Sequence, residues 1–303
     1  MPELPEVETI RRGLEKCILN KKIVQIKVYE KKSFQGDSSK AVGSIIKSLY
    51  RRGKALIIEL DNGYSFLVHL RMTGQLIYRD SVFYKEGNKL YGREKMSFEV
   101  LNEHSFGGGH PSESFLDELP NKQTRVVIEF DDGRLFFNDQ RKFGFIKVLE
   151  TKQIDDDSFI RKLAEEPWEI KLDQFYERLQ KHKKSTIKAV ILDQSVIAGL
   201  GNIYADESLF YASILPTRRA GDISRKEADK LVEGARVVME RSLEAGGSTI
   251  RNYVKSDGTR GDYLDKFAQV FNREGKKCLR CGRIIKKTKV GGRGTHYCDG
   301  CQK

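Results

Sequence analysis

Four of the five cysteines in this chain of 303 residues stand in its last 26 positions, as Cys278, Cys281, Cys298 and Cys301. Their spacing is C-x2-C-x16-C-x2-C. Two close pairs joined by a loop can bring four thiolates to the corners of a tetrahedron, the geometry Zn2+ takes in structural sites. Disulfides are the competing explanation. They do not persist in a reducing cytosol, and pairs this close in sequence make poor long-range staples. One structural zinc is therefore expected. A segment so short cannot bury enough apolar surface to hold itself, so the metal stands in for a core. The fifth cysteine, Cys17, falls in a helical pattern and reads as a small buried apolar residue.

The remainder can build a core of its own. It is 39% hydrophobic and 32% charged, which excludes a disordered polymer. No apolar run reaches membrane-spanning length, and the acidic opening holds no continuous apolar stretch. Neither a membrane span nor a signal peptide is expected, and the compartment reads as cytoplasmic. The formal net charge is +12. Such an excess suits a polyanionic partner, most simply nucleic acid, although a solvated basic surface would look the same. Lipid headgroups fit less well, because no long basic amphipathic helix is present to lie on them.

The first half has the pattern of β-structure. "KALIIEL" and "YSFLVHL" flank "DNG", and "RVVIEF" and "RLFF" flank "DDG", each an apolar-rich pair around a hairpin turn. Many short strands favour a sandwich or barrel. A long, weakly patterned segment over 77–121 lies between the hairpins, of the kind that is functional or disordered. After "DDDS" the pattern turns helical, so a boundary is expected near 150–160. Ser185 can cap a helix through "TIKAVILDQS", "GLGN" breaks it, and "IYADESLFYAS" resumes it, a helix–turn–helix arrangement. Ser224 and Glu227 form a capping-box pair, and the helix they begin places Leu231, Val232, Ala235 and Val238 on one face before Gly246 and Gly247 stop it. Trp168 reads as core. The glycine-, serine- and threonine-rich stretch over 246–263 could order around a ligand or serve as a linker.

The amino terminus is "MPELPEVETIRRG". Pro5 and the acids suit a helix start, and Val7, Ile10, Leu14 and Ile18 recur as on one buried face. Pro2 and Glu3 are left over. Methionine is normally trimmed before a small residue, which would leave a prolyl α-amine with an ordinary pKa of about 7.7–8.0. An unprotonated amine can attack an electrophilic sugar carbon to form an iminium, with Glu3 beside it as acid or base.

The opening "MPELPEVETIRRGLE" strongly resembles the bacterial formamidopyrimidine-DNA glycosylases. So do "YRRGKALIIEL", "HLRMTGQL", "NDQRKFG", "GLGNIYADESLF", "GGSTIRNYVKSDG" and "GRGTHYCDGCQK", in the family's order and along the whole chain except 77–121. The resemblance implies a fold: a β-sandwich with flanking helices over 1–150, a helical domain with a helix–two-turns–helix element over 151–265 (its lesion loop at 246–263), and a zinc-finger β-hairpin over 266–303. It implies roles as well. Pro2 would be the nucleophile, Glu3 the proton donor that opens the sugar, and Glu6 a support to both. Lys54 would bind a phosphate beside the lesion and assist β-elimination, and Arg293 would grip phosphates and serve δ-elimination, since expelling phosphate needs cations where charge develops. Met72, Arg141 and Phe143 would fill the gap left by a flipped nucleotide and hold the orphaned cytosine. Lys184, Lys188 and Asn202 would contact phosphates, and Arg251 would lie near the flipped base.

The sequence departs from the family at three places. Gln123 stands where a family histidine contacts phosphate, so that contact loses its charge. Arg71 replaces the usual glycine before Met72, and it could add a DNA contact or restrict the wedge. The 77–121 segment is longer than usual, and His110 with the glycines before it has no family counterpart. The expectation is a monomeric, bifunctional glycosylase and AP lyase acting on oxidised purines in damaged double-stranded DNA, with zinc as the one cofactor. An endonuclease VIII-like enzyme for oxidised pyrimidines is one alternative. A zinc-finger DNA-binding protein without catalysis is another, though it gives no reason for Pro2 and Glu3 to stand beside Lys54.

Overall fold

Helix α1, Leu4–Ile18, buries Val7, Ile10, Leu14 and Ile18, the face its spacing predicts. It begins on a reciprocal capping box between Glu3 and Glu6, with Pro5 in the first turn. The computed structural model describes residues 2–81, 105–109, 119–247 and 263–303. These divide into two units, one within residues 2–161 and one made of 162–247 with 263–303.

The first unit is a sandwich of two five-stranded sheets. In chain order its strands are β1 (Ile23–Val28), β2 (Phe34–Gln35), β3 (Ile46–Arg52), β4 (Ala55–Leu60) and β5 (Tyr64–His69). Then follow β6 (Gly74–Asp80), β7 (Ser105–Gly109), β8 (Thr124–Phe130), β9 (Gly133–Asp139) and β10 (Phe145–Glu150). One sheet runs β1-β8-β9-β6-β7 and the other β2-β10-β5-β4-β3. Both expected hairpins form: β4 pairs with β5 around Asp61, Asn62 and Gly63, and β8 pairs with β9 around Asp131 and Asp132. Gly63 takes a φ of +82°, which this turn needs and a side chain would resist.

The sandwich core follows from strand alternation. Val126 and Ile128 of β8 point inward to meet Leu56, Ile58, Phe66 and Val68 of the other sheet, and α1 closes the cluster with Ile10 and Leu14. Val127 points the other way and packs with Ile77, Leu119 and Phe136. Central strands buried on both faces read as continuous apolar runs, as "RVVIEF" does.

Part of the 77–121 segment is strand rather than loop. Residues 77–80 complete β6, and Ser105–Gly109 add β7 to its edge. Glycines seldom favour strands, so "FGGG" gave no such signal. Here they allow backbones to approach: a Cβ on Gly109 would lie 2.3 Å from the Gly74 carbonyl oxygen. Phe106 covers Gly13 of α1, where a Cβ would fall 1.9 Å from its ring. His110 lies outside the described residues.

The second unit holds α2 (Leu172–Lys181), α3 (Ile187–Ile191), α4 (Asn202–Tyr211), α5 (Arg225–Glu244) and α6 (Tyr263–Lys266), then the hairpin β11 (Lys286–Val290) and β12 (Arg293–Tyr297). The Ser224–Glu227 capping box starts α5, whose predicted face is buried, and Gly246 and Gly247 end it at positive φ. Helix α3 is shorter than "TIKAVILDQS" suggests and begins after Thr186 rather than Ser185. Side chains divert its C-terminus: Asp193 accepts the Ser195 N–H at 2.9 Å, and Gln194 accepts the Gly199 N–H at 3.0 Å. Trp168 is not core. It is partly exposed, and its indole N–H donates to Glu240 at 2.7 Å. Among the described residues no helix is long and apolar enough to cross a membrane.

Candidate active site and nucleic-acid contacts

Pro2, Glu3 and Glu6 are all buried at the start of α1. The Glu3 N–H donates to the Glu6 carboxylate at 2.9 Å. In the full chain the Pro2 nitrogen is an amide joined to Met1, so it becomes an amine only when Met1 is removed. Lys54 is also buried, in the turn between β3 and β4, two strands against which α1 packs. A linkage that sequence reasoning missed fixes this turn. Glu8 of α1 pairs with Arg51 at 3.4 Å, and Arg51 donates to the Gly53 carbonyl at 3.1 Å, one residue before Lys54. Burial pushes the Glu8 carboxyl up, but hydrogen bonds from Arg11 and Arg12 outweigh it and hold the group below the ordinary range.

The three void-filling candidates are gathered by one residue that the sequence did not single out. Asp139, fully buried at the end of β9, accepts from the Arg141 N–H at 3.1 Å and the Gly144 N–H at 2.7 Å, and also from the Thr73 hydroxyl. Its carboxylate thus ties the loop carrying Arg141 and Phe143 to the turn carrying Met72. Phe143 is 59% exposed, unusual for so large an apolar side chain, and the Arg141 guanidinium lies 5.1 Å from its ring centroid. Met72 is half-buried.

Arg71 takes a φ of +52°, the left-handed region that favours the glycine it replaces. Its N–H donates to His69 Nδ1 at 3.0 Å, and its guanidinium sits over Phe145 and Phe159 at 5.9 and 5.6 Å. These contacts restrict the turn before Met72. Gln123 is half-buried, and its backbone carbonyl accepts the Asp139 N–H at 2.9 Å.

In the second unit Lys184 is exposed between α2 and α3, Asn202 opens α4, and Arg293 is exposed at the start of β12. Gly291 and Gly292 form the hairpin turn at positive φ, the conformation a two-residue hairpin loop demands. Lys188 does not fit the expected phosphate contact. Its side chain is 0% exposed, its ammonium is paired with Asp206 at 2.6 Å, and it donates to Thr295 Oγ1 at 2.8 Å. A charge spent inside the protein is not offered to DNA. Arg251, with Ser248 and Thr249 beside it, lies outside the described residues.

The four cysteine sulfurs all lie within 4.8 Å of one another, with Cys278 to Cys301 at 3.9 Å and Cys281 to Cys298 at 3.4 Å. Tetrahedral zinc with Zn–S bonds near 2.3 Å requires sulfurs about 3.8 Å apart, so the set fits one ion. Cys278 and Cys298 also pack with Phe210, Val270 and Ile285, the finger's small apolar cluster. Zinc here would close the finger and leave no open position for chemistry. Cys17, by contrast, is partly buried against the sandwich core, and burial raises its thiol to about 11.

Three family models match the chain: the formamidopyrimidine-DNA glycosylase N-terminal domain over residues 1–146, the H2TH domain of the same enzymes over 163–254, and the zinc finger found in FPG and IleRS over 275–303. Formamidopyrimidine-DNA glycosylases from Exiguobacterium and Streptococcus pneumoniae are each 36% identical to it, over 100% of this chain and 100% and 99% of theirs. Two Lactococcus lactis structures match over 100% of both chains with a TM-score of 0.82. One is a complex of its Fpg with abasic-site DNA at 31% identity, and the other a mutant with DNA containing Fapy-dG at 32%. Matches of this extent reach from the Pro2 helix to the last zinc cysteine, and the chain belongs to the formamidopyrimidine-DNA glycosylase family, DNA glycosylases of base excision repair.

Proposed function

We propose that this protein excises oxidised purines, 8-oxoguanine and formamidopyrimidines, from duplex DNA and then cleaves the strand as a lyase. The observation that carries this is the placement of Pro2 beside two carboxyl side chains, Glu3 and Glu6, at one helix start. Removal of Met1 frees the proline nitrogen as an α-amine, whose ordinary pKa of about 7.7–8.0 leaves a fraction unprotonated at neutral pH. Its lone pair attacks C1′, the C1′–base bond breaks, and the base leaves with a proton. Glu3 protonates the ring oxygen, which opens the sugar to the iminium. Loss of a C2′ proton then expels the 3′ phosphate, and loss of the C4′ proton expels the 5′ phosphate. Lys54 and Arg293 stabilise the departing anions.

Phe143 and Met72 wedge into the stack while Arg141 holds the orphaned cytosine. Lys184 and Asn202 meet the backbone, Arg251 lies near the flipped base, and Gln123 makes an uncharged contact. One copy carries every group, so a monomer suffices, and a cytoplasmic location fits. Mixing Met1-trimmed protein and borohydride with 8-oxoguanine·cytosine or oxidised-pyrimidine duplex tests this. A covalent adduct with the purine duplex is expected. A pyrimidine preference would indicate the endonuclease VIII-like alternative, and binding without any adduct would indicate a non-catalytic protein.

A further inference from the structure

Lys188 raises its own question once phosphate binding is set aside. Burying an ammonium and a carboxylate together brings little net stability, and apolar replacements often do as well. The pair therefore calls for another reason. An ammonium has three N–H donors. The Lys188 ammonium donates to Thr295 Oγ1 at 2.8 Å and the Gly294 carbonyl at 3.2 Å, and it is ion-paired with Asp206 Oδ1 at 2.6 Å. Two of these three partners belong to the residues that immediately follow Arg293. The Thr295 hydroxyl passes the contact on, donating to the Arg293 carbonyl at 3.0 Å. Asn202 donates to the same Gly294 carbonyl at 3.0 Å, and Asp206 accepts the His296 N–H at 2.8 Å. Among the described residues β12 pairs with β11 alone, so these side chains occupy its other edge. At the hairpin tip, a Cβ on Gly291 would lie 3.1 Å from that of Ala189, the residue after Lys188.

We propose that Lys188 and Asp206 are positioning residues that aim Arg293 at the phosphate expelled in the second elimination. This rests on the role proposed for Arg293 above. The guanidinium stays in solvent while side chains of α3 and α4 hold the Gly294 carbonyl, the Thr295 hydroxyl and the His296 N–H, and that hydroxyl in turn holds the Arg293 carbonyl. Rigid support beneath an exposed cation is what a stabiliser of a departing anion requires, because small misplacements are costly.

The test uses duplex with a ready-made abasic site, so that base excision is bypassed, and separates β-elimination from β,δ-elimination products on a gel. K188M should leave the β product and the borohydride adduct in place. It should lower the ratio of δ to β product roughly 10- to 100-fold. Its salt dependence of DNA binding should keep the wild-type slope, whereas loss of a phosphate contact would reduce that slope by about 1. K188M strands the Asp206 charge, so K188M/D206N, which leaves neither charge, is measured beside it. Retained zinc and a native melt with a depressed ratio support the proposal. A wild-type ratio in the folded double variant overturns it, as does a reduced salt slope. Unfolding of both variants also overturns it, since the pair would then be a requirement of the fold. R293A separates the two claims. If it keeps δ-elimination, the role of Arg293 is wrong; if it loses δ-elimination while K188M does not, only the positioning role fails.

Discussion

The sandwich and the finger hold themselves together by different means. In the sandwich, apolar side chains from two sheets and α1 form a continuous interior, and three of its buried charged residues, Glu3, Glu6 and Lys54, stand at the candidate site. The finger has an apolar cluster of Phe210, Val270, Ile285 and two cysteines, with Phe210 supplied by a helix outside it. A large core tolerates loss of one contact because many others remain. A finger of this size depends on its four thiolates, with the side chains of α3 and α4 that hold β12 as a second support.

Zinc removal should therefore separate the two regions. Structural zinc typically contributes about 10–16 kcal/mol to folding a small finger. Chelation should abolish DNA binding and unfold β11 and β12 while the sandwich still melts cooperatively. Binding assays beside calorimetry would check this. Unchanged binding after complete metal loss would count against a structural ion.

A smaller, pH-dependent effect should appear on the sandwich side. His69 is buried, and burial, followed by the charges of Arg71 and Lys54, lowers it from 6.5 to about 3. The unfolded histidine thus takes up a proton that the folded one refuses. Its contribution is complete above pH 6.5 and is lost as pH falls toward 3, with a slope of up to about 1.4 kcal/mol per pH unit. H69Q keeps an acceptor for the Arg71 N–H and should flatten that slope. Denaturation midpoints measured across this window would reveal it, and identical slopes for both proteins would exclude the assignment.

Local signals were legible in the sequence wherever a residue and its partner lie close along the chain. The α1 stripe, the two hairpins, the Ser224 cap and the cysteine quartet all have that character. What stayed hidden depends on distant partners. Nothing about Lys188 in "TIKAVIL" reveals that Asp206, on another helix, will neutralise it. Trp168 looked apolar until Glu240 took its N–H. Asp139 sits in a motif whose more conspicuous members are Arg141 and Phe143, yet its carboxylate is what sets their loop. The strand at Ser105–Gly109 was masked by glycines whose purpose is close packing. In the candidate site the residue types were readable, while their supports, Glu8, Arg51 and Asp139, were not.

The central claim is that the trimmed Pro2 amine is the group that captures the sugar. Borohydride reduction with 8-oxoguanine·cytosine duplex, followed by protease digestion and mass spectrometry of the cross-linked peptide, tests it directly. The account predicts that the deoxyribose remnant is found on the nitrogen of Pro2, and that protein retaining Met1 gives no adduct. A remnant carried by Lys54 or any other lysine, or trapping by protein that keeps its methionine, would contradict it.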